Sequence, residues 1–319
     1  MTAQTAFNAP QFTDEKAAID HLEASRWPDG VNCPHCGSVT VTRMGGETQA
    51  GMFQCNDCRD KFSPRTGTVM ERSHIPVHKW LLAIHLLNSS KKGMSAHQMH
   101  RTLGITYKSA WFLCHRIREA MRDDNVPGFD PLGGKGKVVE ADETYFGNVP
   151  ESKRPKKTTR GRKFTKGGRS GPSGKRAVVA LVERGGRVRS FHPAIADGNT
   201  VTAIVLDNIR RESRLHTDES RLYSFPGSEF KAHETVTHSH GEYVRGDVHT
   251  NTIEGVFSIF KRGMKGIYQH CSEKHLHRYL AEFDFRYNQR TALGYSDGER
   301  AAIALKGIEG KRLTYRIPR

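Results

Sequence analysis

The sequence predicts a multidomain chain of mixed α+β and α/β class, with a small cysteine-bearing module, a helical region and a larger mixed-sheet domain. Three observations carry this. Four of the six cysteines form two C-x-x-C pairs at 33–36 and 55–58. Helical periodicity dominates residues 77–122. From residue 138 onward the pattern switches to strand, strand, strand, helix, strand, helix, helix. A length of 319 residues suits about two domains with a small third.

The elements follow in order. Residues 12–27 read as a short helix, with Thr13 as N-cap, Asp14 and Glu15 in its first turn, and Ala18, Ile19 and Leu22 on its apolar face. Trp27-Pro-Asp-Gly ends it with turn chemistry. Cys33-Pro-His-Cys36 is followed after 18 residues by Cys55-Asn-Asp-Cys58. Each C-x-x-C turn converges two thiolates, and a hairpin of this length brings the pairs face to face around one structural zinc. The spacing therefore defines a zinc ribbon, with the first module spanning 12–70. Cys114 and Cys271 lie far from the pairs and read as inert thiols. Without a visible signal sequence at Met1–Pro10, the cysteines point to metal binding in a reducing compartment, not to disulfides.

Residues 71–123 read as helical. Trp80, Leu81, Ile84, Leu86 and Leu87 make one amphipathic segment. Ser95 caps a short helix ending at Leu103, Gly104 turns, and Thr106 opens a second helix with Ala110, Leu113 and Ile117 on one face. These are helix-turn-helix proportions. Lys108, Arg116 and Arg118 on the second helix are candidate contacts to DNA phosphates and base edges. Residues 124–137 are rich in Pro and Gly and read as a linker.

The mixed-sheet domain is expected over 138–290. Val138–Phe146 is its first strand, Ala177–Glu183 and Arg187–Pro193 form a hairpin across Gly185-Gly186, and Asn199 opens a helix to about Arg211. Arg214–Thr217 is a short strand, and helices follow over Asn251–Gly263 and Glu273–Gln289. A basic insertion occupies 151–176, with eleven Lys or Arg against one acid. Residues 291–319 read as a C-terminal tail.

The net charge of +16 points to a polyanionic partner, with nucleic acid the first candidate. The apolar runs, such as Ala177–Val182, fall far short of the ~18 residues a membrane span needs, so no membrane role is expected.

Asp142 in the first strand, Asp218 after the fourth and Glu254 near the start of the next helix stand where such a fold brings them together. Hard divalent cations prefer carboxylate oxygens, and two of them ~3.5–4 Å apart stabilise the attacking and leaving oxygens of phosphodiester cleavage. Asp142, Asp218 and Glu254 are thus candidate ligands for two Mg²⁺ or Mn²⁺ ions. The first strand alone does not separate Asp142 from Glu140 or Glu143, Asp218 has Glu219 beside it, and Glu254 also fits the third position of a capping box begun by Asn251. Lys261 and Arg262, two turns beyond Glu254, are candidate phosphate contacts. His249, five residues before Glu254, is a candidate support behind the metal ligands or a substrate contact. Irregular spacing speaks against a second metal site among His233, His238, His240 and His249.

Trp27-Pro-Asp-Gly-Val-Asn-Cys-Pro-His-Cys, Phe62-Ser-Pro-Arg-Thr-Gly-Thr, Glu140-Ala-Asp-Glu-Thr-Tyr-Phe-Gly and His249-Thr-Asn-Thr-Ile-Glu-Gly-Val-Phe-Ser-Ile-Phe-Lys-Arg-Gly together closely resemble the zinc-ribbon DDE insertion-sequence transposases of bacteria, family IS-fifteen-ninety-five, over about residues 12–290. The resemblance implies a ribonuclease H-like catalytic domain whose DD-E triad falls on Asp142 and Glu254, with Asp218 as the second acid, separated from Glu254 by 35 residues. It implies binding of double-stranded DNA at the inverted repeats of the element, strand transfer into target DNA, and a dimer or larger assembly on DNA in the bacterial cytoplasm, nucleoid-associated. The rival readings are a DNA-binding regulator with an inert catalytic domain and a ribonuclease H-like nuclease.

Overall fold

The computed structural model describes residues 8–46, 49–122, 130–147 and 175–314. It divides into two compact units, one formed by residues 1–125 and 289–319 and the other by 126–288. The expected basic insertion lies almost wholly outside the described residues, as does the first half of the expected linker.

The first unit begins with α1 (Glu15–Arg26), capped by Asp14, whose carboxylate accepts from Ala17 N at 2.7 Å; Thr13 does not cap it. Asp14 wins because the chain before it is taken up by a 3₁₀ turn, Pro10–Phe12, into which Thr13 donates instead. Three short strands follow as an antiparallel sheet: β1 (Val41–Arg43), β2 (Phe53–Cys55) and β3 (Lys61–Phe62). Strands of two or three residues bury little, so aromatic packing and the cysteines must hold them. Trp27 packs edge-on against Phe53 and Phe62, each ring 5.9 Å away, and Phe53 stacks on Phe62 at 5.4 Å.

The helices are α2 (Val77–Ser89), α3 (Ala96–Leu103) and α4 (Tyr107–Ala120). Pro76 stands at the N-cap of α2 and offers no side-chain acceptor. Glu15 supplies it from α1, accepting from Val77 N at 2.8 Å and His78 N at 3.0 Å. Ser95 caps α3, Thr106 caps α4, and Gly104 makes the left-handed turn between them at φ 59°, as their spacing predicts. The expected tail departs from its sequence pattern. It carries a helix, Asp297–Lys306, opened by a Ser296–Glu299 capping box, and Arg300 donates to Asn88 O at the end of α2. What seats this helix is a partner 212 residues away, which no local pattern records.

The second unit is built on a five-stranded sheet. Its strands are β4 (Val138–Phe146), β5 (Arg176–Glu183), β6 (Val188–Phe191), β7 (Arg214–Thr217) and β8 (Ala232–Thr235), in the order β6-β5-β4-β7-β8. The β4-β5-β6 meander is antiparallel, while β4, β7 and β8 run parallel. β8 lies where the sequence predicts a histidine-bearing loop; its four residues are all half-buried, and a strand that short has no readable alternation. Helix α5 (Gly198–Asn208), capped by Asp197 and not Asn199, covers one sheet face with Val201 and Val205. On the other face lie α7 (Asn251–Gly263) and α8 (Glu273–Asn288), through Ile253, Val256, Phe257, Phe260, Leu276 and Phe283. A four-residue turn of helix, α6 (Ser224–Gly227), and a small hairpin, β9 (Val244–Arg245) with β10 (Val248–His249), complete the unit.

Residues 130–137 are not simply a linker. Leu132 is fully buried in the α5-side core and pairs with Ile209. Gly133 adopts φ 84°, and a Cβ there would stand 2.1 Å from Ser213 Oγ, so this turn requires glycine.

Candidate functional site

Two sites emerge from these elements, one in each unit. In the ribbon the Sγ atoms of Cys33, Cys36, Cys55 and Cys58 lie within 4.8 Å of one another. The pairs Cys33–Cys58 and Cys36–Cys55 stand at 3.7 and 3.6 Å, far too long for disulfides of ~2.05 Å. A tetrahedron with Zn–S bonds of ~2.3 Å has S···S edges of ~3.8 Å, so the four sulfurs are spaced as one zinc requires. With all four positions taken by protein, the site is structural. Among the described residues these four are the set whose donor atoms already converge on one point. The histidines of the second unit do not gather: His233 bonds Thr217 Oγ1, and His249 faces Arg184.

In the second unit, Asp142, Asp218 and Glu254 line one open cleft of about 800 Å³. They come from the centre of β4, the residue after β7 and the first turn of α7. β4 and β7 are neighbouring parallel strands, so their acids emerge at the same sheet end. Glu143, Thr144, His238, Lys261, Arg262 and Lys265 complete the wall. The carboxylates feel one another. Burial, then the charges of Asp218 and Glu143, push the Asp142 carboxyl up to about 8, with Glu254 adding to the rise. Burial also raises Asp218 and Glu143. Carboxylate oxygens suit hard divalent cations, although those of Asp142, Asp218 and Glu254 do not converge as closely as the four sulfurs do. Lys261 is half-buried; burial lowers its pKa, against the opposing pull of Asp142.

The structure separates Asp142 from Glu140, while Glu143 stays with Asp142 on the cleft. Glu140 shares the face of Asp142 but is fully buried and committed elsewhere. Its carboxylate accepts from Ile253 N at 3.0 Å and Thr252 Oγ1 at 2.8 Å, at the start of α7. It also accepts from Arg184 Nε at 2.6 Å. α7 has no capping side chain of its own, so a strand residue supplies the anion its N-terminus favours. Glu254 therefore caps nothing. Its Oε1 accepts from Thr250 Oγ1 at 3.1 Å and lies 3.6 Å from His238 Nε2. Beyond α7, a π-helical stretch, Met264–Tyr268, carries Lys265 and Gly266 onto the cleft.

Arg184 ties this arrangement together. Its guanidinium donates to Asp247 O at 2.6 Å and His249 O at 2.8 Å, and approaches His216 Nδ1 at 3.1 Å and His249 Nδ1 at 3.0 Å. His249 thus contacts Arg184 and lies 3.4 Å from Glu140, and it is not part of the cleft lining. The sequence offers one clue to Glu140, its i, i+2 relation to Asp142; nothing local marks Arg184, His238 or Thr250. Glu140→Gln should keep the fold yet weaken the anchor by ~1–3 kcal/mol, a charge-assisted bond being replaced by neutral ones. Hydrogen exchange at the Ile253 amide should then quicken about tenfold or more; an unchanged rate would exclude the anchoring role.

The helical DNA contacts need correction. Arg118 is 2% exposed. Arg116 donates to Glu71 O at 3.1 Å and Leu313 O at 3.2 Å, inside the first unit. Both point inward because they lie on the half of α4 that packs; of the three only Lys108, near its start, is exposed. Lys261 and Arg262 do line the cleft.

Comparison with known families matches two stretches of the chain. Residues 13–61 match the transposase zinc-ribbon domain, and residues 131–288 match the ISXO2-like transposase domain. The chain belongs to this transposase family. It is 31% identical over 279 residues, 86% of this chain and 91% of the other, to an uncharacterized protein in transposable element ISH50 of Halobacterium salinarum. Likeness to solved structures is faint. A simian T-cell lymphotropic virus intasome chain, in complex with PP2A regulatory subunit B56 gamma, matches 58% of this chain and 63% of its own length, at 10% identity and TM-score 0.28. The Mos1 strand transfer complex matches 68% and 78%, at 13% identity and TM-score 0.23. Among the described residues no helix is long and apolar enough to cross a membrane.

Proposed function

We propose that this chain is a DNA transposase of the DDE type, with a ribonuclease H-like catalytic unit in which Asp142, Asp218 and Glu254 hold two Mg²⁺ or Mn²⁺ ions. The observation that carries the reading is one cleft lined by all three acids, with Lys261, Arg262 and Lys265 on its wall. When bound, the ions supply charge stabilisation to the attacking and leaving oxygens. The chain's own residues do the rest. Lys261 and Arg262 hold the phosphates of the strand to be cut, and Glu140 with Arg184 keeps Glu254 facing Asp142. A water oxygen forms a bond to phosphorus, the bond to the element's 3′ oxygen breaks, and that oxygen leaves as a hydroxyl carrying the water's proton. The freed 3′-hydroxyl then attacks a target phosphodiester; one P–O bond forms, one breaks, and the proton passes to the departing target oxygen.

The zinc ribbon and the α3–α4 pair, as a helix-turn-helix-like reader with Lys108 exposed, would bind the element's inverted repeats. The basic insertion 151–176 would follow phosphate backbone with little sequence preference. Two ends must be held at once, so the working form is a dimer or larger on nucleoid DNA.

The test is strand transfer. Labelled duplex bearing the element's end is incubated with Mg²⁺ and supercoiled target. Wild type should yield joined product, and Glu254→Gln should fall by at least a thousandfold. Specific end binding without cleavage by wild type would instead support a DNA-binding regulator, and cleavage without joining a nuclease.

A further inference from the structure

Among the described residues, the large apolar side chains left exposed are mostly scattered, which is ordinary for a protein surface. Tyr243 and Val244 are the exception: they are adjacent, 60% and 52% exposed. They also lie beside the cleft. The Tyr243 ring stands 5.1 Å from the ring of His238, tilted by 48°, and His238 Nε2 stands 3.6 Å from Glu254 Oε1. Tyr243 is therefore two contacts from a proposed catalytic carboxylate, yet it presents most of its ring to solvent.

Its support is braced. Val244 opens the β9–β10 hairpin, which turns at Gly246 with φ 62°. Arg245 pairs with Glu242 at 3.3 Å and donates to Thr235 O at 3.1 Å, while Glu242 accepts from Thr237 N at 3.2 Å. At the other strand, His249 is held by Arg184. An aromatic ring on so fixed a mount loses little freedom on contact, which favours its use as a binding platform.

We propose that Tyr243 is a stacking platform for an unpaired DNA base one or two nucleotides from the bond to be cut. This rests on the transposase reading above. Charge complementarity selects the occupant: Lys261, Arg262 and Lys265 on the same cleft would fix the phosphates of a strand whose bases reach outward. Only His238 stands between Tyr243 and Glu254, so the platform meets a base close to the scissile phosphate. An aromatic face accepts any base, because every base offers a π-face. Bases are available there only if the duplex frays or the nucleotide swings out, so Tyr243 would distinguish opened DNA from intact duplex.

The probe is a forked duplex carrying 5-iodouracil in its single-stranded arm, with intact duplex as the control. Irradiation of the wild-type complex should crosslink the arm to Tyr243, mapped by peptide mass. Tyr243→Ala should weaken fork binding about tenfold and leave duplex binding unchanged, and Tyr243→Phe, which keeps the ring, should bind as wild type. Crosslinks that map only elsewhere, or a Tyr243→Ala protein that binds fork as wild type does, overturn the platform. So does an equal loss on fork and duplex. If wild type binds neither DNA, the transposase reading falls too; DNA binding indifferent to Tyr243 removes only the platform.

Discussion

Asp142→Asn is expected to abolish Mg²⁺-dependent cleavage, by at least a thousandfold, while making the protein more stable when no divalent ion is added. The two effects share one cause. Asp142 is held among like charges, and burial, Asp218 and Glu143 push its carboxyl up to about 8. The unfolded carboxyl titrates near ~3.9. The folded chain therefore binds this proton more tightly, and ionised Asp142 costs stability. That cost is absent below about pH 4, grows through the window to about pH 8 and is complete above it. Asn mimics the neutral acid and escapes it. The melting temperatures of variant and wild type should thus coincide in acid and separate by about 10 °C or more by pH 8, the variant melting higher, at ~2–4 °C per kcal/mol for a domain this size. Mg²⁺ or Mn²⁺ should raise the wild-type value and leave the variant unmoved. The measurement is a thermal shift series in desalted protein, without chelators that would strip the ribbon. A variant no more stable at pH 8, and still stabilised by Mn²⁺, would remove Asp142 from the metal site.

Cys55→Ser is expected to empty the ribbon of zinc and unfold it. Cys55 is fully buried beside Phe53, Phe62 and Trp27, and its sulfur stands 3.6 Å from that of Cys36. Serine offers a hard, weakly acidic oxygen in place of a thiolate. β1, β2 and β3 have three, three and two residues, too few to persist on hydrogen bonds alone. Structural zinc in such modules is part of the folding free energy, so losing a ligand should release it. Zinc content should fall to background, Trp27 should become accessible to quenchers, and protease should cut within 30–62. The acids of the other unit should still bind Mn²⁺. A Cys55→Ser protein that keeps its zinc, or keeps a protease-resistant ribbon without it, would contradict the structural role.

Of these sites, the ribbon is the most legible in the amino-acid sequence, because its information is local. Two turns and a hairpin length decide where four thiolates go, and the sulfur spacing agrees. Helix α7 is equally readable, since the apolar stripe Ile253, Val256, Phe257, Phe260 recurs at helical spacing. The acids can be named but not sorted. What separates Asp142 from Glu140 is a contact across 113 residues, from the Glu140 carboxylate to the Ile253 amide, which no local pattern records. The same holds for the helix of the C-terminal segment and for the inward turn of Arg116 and Arg118. A basic side chain on a helix reads as solvated until the packing of the other helices shows which half of the surface is left.

Composition, spacing and periodicity by themselves determined the ribbon, the principal elements, the basic character and the chemical types of the candidate site, because each of these depends on neighbours within a few turns of chain. Only the tertiary structure decided which carboxylates face the cleft, that Glu140 and Arg184 anchor the helix carrying Glu254, and that Tyr243 stands exposed beside it. Those outcomes depend on which distant groups are left to satisfy a buried charge, a helix end or an open ring, and that competition is resolved only when the whole chain has packed.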